Sequence, residues 1–193
     1  MKEQIANYFN RYVAFEAREI DEFYQHLTTK IFKRKTYLVQ EGDICKHYFF
    51  VTKGLLRSFY FDDKGNEKIT QFAIENWWVT HLESFVLGSR SSVNIQAIEN
   101  TTVLMINKSD LDTLYSKIPK LERLFRLITE KMLIAIQRKN EWYMHMNSIE
   151  RYKQISSSIP HFMQRVPQYM IASYLEITPE YLSEIRKNCA LGS

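Results

Sequence analysis

Residues Val166 to Lys187 read VPQYMIASYLEITPEYLSEIRK, and the second half of this segment gathers Thr178, Glu180, Tyr181, Ser183, Glu184, Arg186 and Lys187. Carboxylates, hydroxyls and cations at this density can exchange hydrogen bonds with base edges and phosphates in a DNA groove. The spacing supports two short helices joined by a tight turn. Pro167 can open the first helix where an N–H would be unpaired anyway, and Ile171, Ala172 and Leu175 form its inner face. Thr178 is placed to cap a second helix that starts at Pro179, with Leu182 and Ile185 turned inward. In a DNA-binding helix-turn-helix the N-terminal residues of the second helix meet the bases. An ordinary αα-hairpin satisfies the same packing pattern.

Phosphate contacts dominate DNA affinity. From Arg165 to Asn188 the basic residues are Arg165, Arg186 and Lys187 and the acidic ones Glu176, Glu180 and Glu184, which cancel. Weak DNA binding, or binding helped from elsewhere, is the expectation. Glu176 also stands in the turn, where a left-handed residue is often needed and glycine adopts it at least cost.

Other reactive side chains are scattered. Cys45 and Cys189 form no CxxC pair, and the histidines at 26, 47, 81, 145 and 161 have no metal-site spacing. With no P-loop or nucleophile elbow either, neither an enzyme, a metal site nor a cofactor is expected. The 193 residues are 45% hydrophobic and 25% charged, with five Gly, four Pro and a net charge of +4, a composition suited to one or two globular domains. No apolar run approaches the ~20 residues that span a bilayer, and the N-terminus lacks a signal core, so a cytoplasmic protein with no membrane partner is expected.

The elements that must position the C-terminal segment change character twice. The first ~27 residues read as helical, with Ile20, Phe23, Tyr24 and Leu27 on one face. From Ile31 the chain breaks into short runs rich in aromatic and branched residues, with turns at Glu41-Gly42-Asp43 and Lys53-Gly54 and a hairpin tip at Asp62 to Asn66. An antiparallel roll or sandwich is implied. At Ser109 and Asp112 a capping-box start returns the pattern to helix, and a long helix follows Pro119. Within it Ile118, Phe125, Met132, Lys139 and Met146 share one heptad position, and Leu121, Ile128, Ala135, Trp142 and Ile149 the other. This a/d seam predicts a two-helix dimer interface through Leu121, Phe125, Ile128, Met132, Ala135 and Trp142, with Lys139 as a polar register residue. A long helix packed on its own β domain gives the same pattern.

In this order the pieces resemble the Crp/Fnr family of bacterial transcription regulators. The segments that carry the resemblance are Tyr37 to Asp43, Tyr48 to Gly54 and Arg165 to Lys187, the last like the family's short Bacteroidetes members. The resemblance implies an α+β chain: an N-terminal antiparallel β-roll of the jelly-roll, cyclic-nucleotide-binding type over 1–117, a dimerisation helix over 118–147 and a helix-turn-helix over 148–193. It implies a homodimer on double-stranded DNA, a small-molecule effector and RNA polymerase as a further partner.

In cyclic-nucleotide-binding members a Gly-Glu pair grips the ribose and an Arg-Ser or Arg-Thr pair the phosphate. Here Thr80 and His81 stand at the first pair and Ser91 and Ser92 at the second, with Arg90 one residue away and Leu82 after His81. These six residues outline the candidate effector site. Without the carboxylate and the guanidinium at their positions, cyclic AMP binding is not expected, and Arg90 remains a candidate anion contact. A lone His81 reads as a packing residue rather than a haem ligand. The resulting expectation is a sequence-specific DNA-binding regulator, set against a sensor or protein-interaction module whose helix-turn-helix no longer binds DNA.

Overall fold

The computed structural model describes residues 1–158 and 161–191. The helical N-terminal stretch holds two helices, α1 (Lys2–Asn10) and α2 (Ala17–Gln25), the second opened by a reciprocal capping box between Glu16 and Glu19. Strands β1 (Thr28–Phe32), β8 (Thr101–Asn107), β3 (His47–Lys53) and β6 (Trp78–Val79) form one antiparallel sheet in that order. Strands β2 (Tyr37–Val39), β7 (Asn94–Ala97), β4 (Leu56–Phe61) and β5 (Glu67–Ala73) form the other, and α3 (Leu82–Leu87) lies between β6 and β7 in the chain. The antiparallel roll read from the alternation is present, with a two-residue β6 that its pattern did not announce.

Strand β3 reads HYFFVTK, apolar on both faces, because both are covered. Phe49 and Val51 point into the roll with Val39, Leu56, Val79, Ile95 and Val103. On the other face Phe50 meets Tyr8 of α1 edge-on at 5.2 Å between centroids. Gly54 turns the chain out of β3 at φ +106°, and a Cβ there would fall 2.5 Å from Thr101 Oγ1, so only glycine fits.

Helix α4 (Lys108–Lys117) is capped by Asn107, whose side chain accepts from the Asp110 N–H at 2.8 Å. The Ser109–Asp112 capping box is thus displaced by a residue two positions earlier. Helix α5 (Lys120–His145) follows, then α6 (Ser148–Ser158), α7 (Phe162–Arg165), α8 (Gln168–Leu175) and α9 (Pro179–Leu191). The chain divides into two compact units, one of Met1–Tyr60 with Gln71–Glu130 and one of Phe61–Thr70 with Lys131–Ser193.

The seam on α5 differs from the heptad reading. Leu121, Leu124, Phe125 and Ile128 are buried within a single chain. Phe125 packs on Trp78 at 5.4 Å, Tyr48 at 5.8 Å and, edge-on, Tyr115 at 5.9 Å. Leu121, Phe125 and Ile128 are therefore core residues rather than interface residues, as Met132 and Trp142 are half-buried and Ala135 exposed. Apolar side chains are left elsewhere on the helix: Leu133, Ile134, Ile136 and Met144 are 45–77% exposed. The roll supplied a stronger apolar partner for the first turns than a second helix could. Phe125→Ala should thus lower the unfolding free energy by about 3–5 kcal/mol, the cost of emptying a core phenylalanine site, as read from urea denaturation of the full chain.

Candidate nucleic-acid interface and effector loop

Helices α8 and α9 realise the two-helix segment. Ile171, Ala172 and Leu175 of α8 and Leu182 and Ile185 of α9 are buried, as the periodicity requires. Pro167 is the residue before α8 rather than its first, and Pro179 is the first of α9. Thr178 caps α9 by accepting from the Tyr181 N–H at 3.2 Å. That bond engages the hydroxyl as an acceptor, so Thr178 orders the helix first and has less to offer a base.

Glu180, Tyr181, Ser183, Glu184 and Lys187 are exposed on one side of α9, and Arg186 is half-buried. Glu176 ends α8 at φ +57°, ψ +42°, the left-handed conformation foreseen for the turn. A side chain there costs on the order of 1–2 kcal/mol relative to a relaxed backbone.

Nothing in the residue pattern announces what holds α8 from behind. The hairpin tip between β4 and β5, closed by Asp62 N–H to Asn66 O at 3.0 Å, belongs to the same compact unit as α8. Ser173 Oγ accepts from the Ile69 N–H at 3.1 Å and donates to Glu67 O at 2.6 Å. Tyr143 of α5 donates its hydroxyl to Tyr174 O. Lys139 donates to Thr70 O at 3.0 Å and places its ammonium 3.9 Å from the centre of the Tyr174 ring. The polar interruption of the heptad is thus an intrachain anchor between α5, the hairpin and α8, not a register residue facing a partner helix. Nothing in a seven-residue period distinguishes the two roles.

The effector loop is arranged for its own hydrogen bonds. Thr80 is buried, donates to His47 O at 2.9 Å and lies 3.2 Å from Cys45 Sγ. Ser91 is buried, with Oγ donating to Val93 O at 2.8 Å and N–H to Asp43 O at 2.7 Å. Arg90 is exposed and its guanidinium donates to Gly42 O at 2.9 Å, so the candidate anion contact is engaged by the backbone of the β2–β3 loop. His81 Nε2 lies 3.4 Å from Ser92 Oγ, Leu82 is exposed on α3, and His81 Nδ1 and Ser89 Oγ are buried with no hydrogen-bond partner among the described residues. Of the candidate effector residues, His81 and Ser92 thus approach each other, and Thr80 and Ser91 bond to His47 and Asp43 in and before β3. Among the described residues no group of three or more His, Cys, Asp or Glu side chains could hold a metal ion, and no helix is long and apolar enough to cross a membrane.

Burial pushes the Lys139 ammonium down to about 8, with the Glu176 carboxylate opposing the shift. The fold disfavours its charged form, so between the folded value and the ordinary value near 10.5 the unfolded chain binds more protons. Stability contributed at this position therefore rises with pH above about 8 and is lowest below it. The difference in unfolding free energy between the wild type and Lys139→Met should shift in favour of the wild type as pH is raised from neutrality to 9.5, measured by paired urea titrations. A flat difference would mean that Lys139 titrates as in water.

Known proteins bear on this arrangement. Residues 29–117 match the family model described as the cyclic nucleotide-binding domain. The transcriptional activator protein Anr of Pseudomonas aeruginosa is 27% identical over 170 residues, covering 79% of this chain and 66% of that protein. The fumarate and nitrate reduction regulatory protein of Vibrio cholerae is 25% identical over 160 residues, covering 77% and 63%. The chain thus spans just under two thirds of the length of the curated relatives it matches. Among solved structures, the c-di-GMP responsive global regulator CLP of Xanthomonas campestris superposes with a TM-score of 0.72 at 18% identity, over 92% of this chain and 93% of that one. FixK2 of Bradyrhizobium japonicum gives 0.74 at 16% identity, over 86% and 85%. A roll matched by the nucleotide-binding model, followed by a long helix and a helix-turn-helix, with regulators of this kind among the similar proteins, makes the chain similar to the Crp/Fnr regulators.

Proposed function

We propose that the chain is a homodimeric, sequence-specific DNA-binding transcription regulator whose roll does not bind cyclic nucleotides in the family's usual way. The observation that carries the DNA reading is helix α9: its apolar residues Leu182 and Ile185 are buried on α8, and Glu180, Tyr181, Ser183, Glu184 and Lys187 stand exposed together. This is the division of labour that a recognition helix needs. The relatives' names, a transcriptional activator and a regulatory protein, support it. The acidic residues on the same helix favour the second reading, a sensor or interaction module without DNA binding.

Selection from a random-sequence duplex library with the full chain separates the two. Enrichment of a two-fold-symmetric sequence supports the regulator, and no enrichment supports the module. Glu184→Arg should raise nonspecific affinity and steepen its salt dependence, because each added phosphate contact releases roughly one more counterion. Gel shifts over a salt series read both quantities, and unchanged values would place this helix away from DNA.

The dimer forms along α5 through Leu133, Ile134, Ile136 and Met144, the large apolar side chains that stand exposed on the helix. Ile134→Glu should yield monomers by light scattering with the thermal midpoint of the roll little changed. A variant that remains dimeric would move the interface elsewhere.

For the effector, Thr80 and Ser91 are engaged in the loop's own bonds and Arg90 is turned to Gly42 O, so the ribose and phosphate of a cyclic nucleotide find no prepared partner. The unspent His81 Nδ1 and Ser89 Oγ suit a small polar ligand better. Calorimetric titration with cyclic AMP and cyclic GMP should show no binding tighter than roughly 10 μM, equivalent to about 7 kcal/mol.

A further inference from the structure

Strand β5 is the outer strand of its sheet, so every second residue turns an N–H and a C=O away from β4 with no strand among the described residues to receive them. The Ile69 N–H and the Glu67 carbonyl are two such groups. They lie two residues apart and therefore on the same edge. A neighbouring strand would satisfy the first with a carbonyl and the second with an N–H. Ser173 does both with one hydroxyl, accepting from Ile69 and donating to Glu67. A side chain that only donates could not accept from the N–H of the buried Ile69.

Two further contacts hold the same stretch of chain. Lys139 of α5 reaches Thr70 O, the next carbonyl beyond Ile69, and its ammonium covers the Tyr174 ring, the residue after Ser173. Tyr143, one turn on from Lys139, donates to Tyr174 O. The Ser173 hydroxyl makes a direct contact between α8 and the strand edge. Strands β4 and β5 run on from this hairpin into the sheet shared with β7, and β7 directly follows the loop carrying Ser91 and Ser92.

We propose that Ser173 is the positioning residue of the DNA-binding unit: by standing in for a strand neighbour on the open edge of β5, its hydroxyl ties α8, and through α8 the recognition helix, to the β4–β5 hairpin. This deepens the DNA-binding reading and rests on it. Through the tether, displacement of the hairpin is a displacement of α8. Ser173 itself touches no DNA.

The test uses the full chain with Ser173→Ala and Ser173→Thr. Alanine is the better helix former, so loss of α8 does not confuse the result, and threonine keeps the hydroxyl. Amide exchange at Ile69 should quicken about tenfold in Ser173→Ala, the factor expected for one lost hydrogen bond, and return towards the wild-type rate in Ser173→Thr. Affinity for the selected duplex should fall several-fold in Ser173→Ala and recover in Ser173→Thr. Affinity for a nonspecific duplex of equal length should stay constant in all three proteins. Unchanged exchange at Ile69 overturns the tether, and faster exchange with unchanged operator affinity overturns the positioning role. If Ser173→Ala loses its cooperative melt, Ser173→Cys, of similar shape with a weakly bonding thiol, is held to the same outcomes. A wild-type chain that enriches no duplex sinks the DNA-binding reading instead, and the tether is then decided by the Ile69 amide and its rescue by threonine.

Discussion

Phe125 sits where three parts of the roll meet: Tyr48 from β3, Trp78 from β6 and Tyr115 from α4 all place their rings within 6 Å of its own. Aromatic rings bury large areas and pack in few geometries, so this contact sets the rotation of α5 about its axis. Once that rotation is set, Leu121, Leu124 and Ile128 follow into the core, and Leu133, Ile134 and Met144 are left outside. Lys139 and Tyr143, further along the same helix, are brought to the hairpin and to α8.

The two halves of the candidate function are built in different ways. The recognition segment is a local device: helix period, a Thr178 cap and a left-handed turn at Glu176 arrange it with residues that are neighbours in sequence. Its acidic residues leave its affinity for DNA dependent on the rest of the surface. The effector loop is a long-range device, in which Gly42, Asp43, Cys45 and His47 from one turn bond to Thr80, Ser84, Arg90 and Ser91 from another. A loop closed by its own backbone has few groups left for a ligand. His81 Nδ1 and Ser89 Oγ are two of the buried polar atoms that find no partner among the described residues.

Much of this could be read directly from residue types and their spacing. The Leu182 and Ile185 pair, the glycine turn at Gly54 and the hairpin tip at Asp62 to Asn66 are set by interactions within a few residues, and local periodicity reports them well. The ordered combination of roll, long helix and helix-turn-helix pointed to the Crp/Fnr resemblance before any coordinate. Asn107 displacing Ser109 as the cap of α4 is a smaller case, where two capping residues two positions apart compete and the strand end at Asn107 decides.

What tertiary structure alone decided was which partner each surface found. A heptad of apolar residues states that one side of α5 will be buried but carries no information on whether the burying surface comes from the same chain, because the transfer free energy of a phenylalanine is the same in either place. The roll, tethered to the helix by a few residues, wins that competition for Leu121, Phe125 and Ile128, since an intrachain contact is made without the entropy cost of association. The same holds for Ser173 and Lys139. Their residue types announce a hydroxyl and an ammonium, and only the approach of a strand edge more than 60 residues away in sequence gives those groups the N–H and carbonyls that they hold.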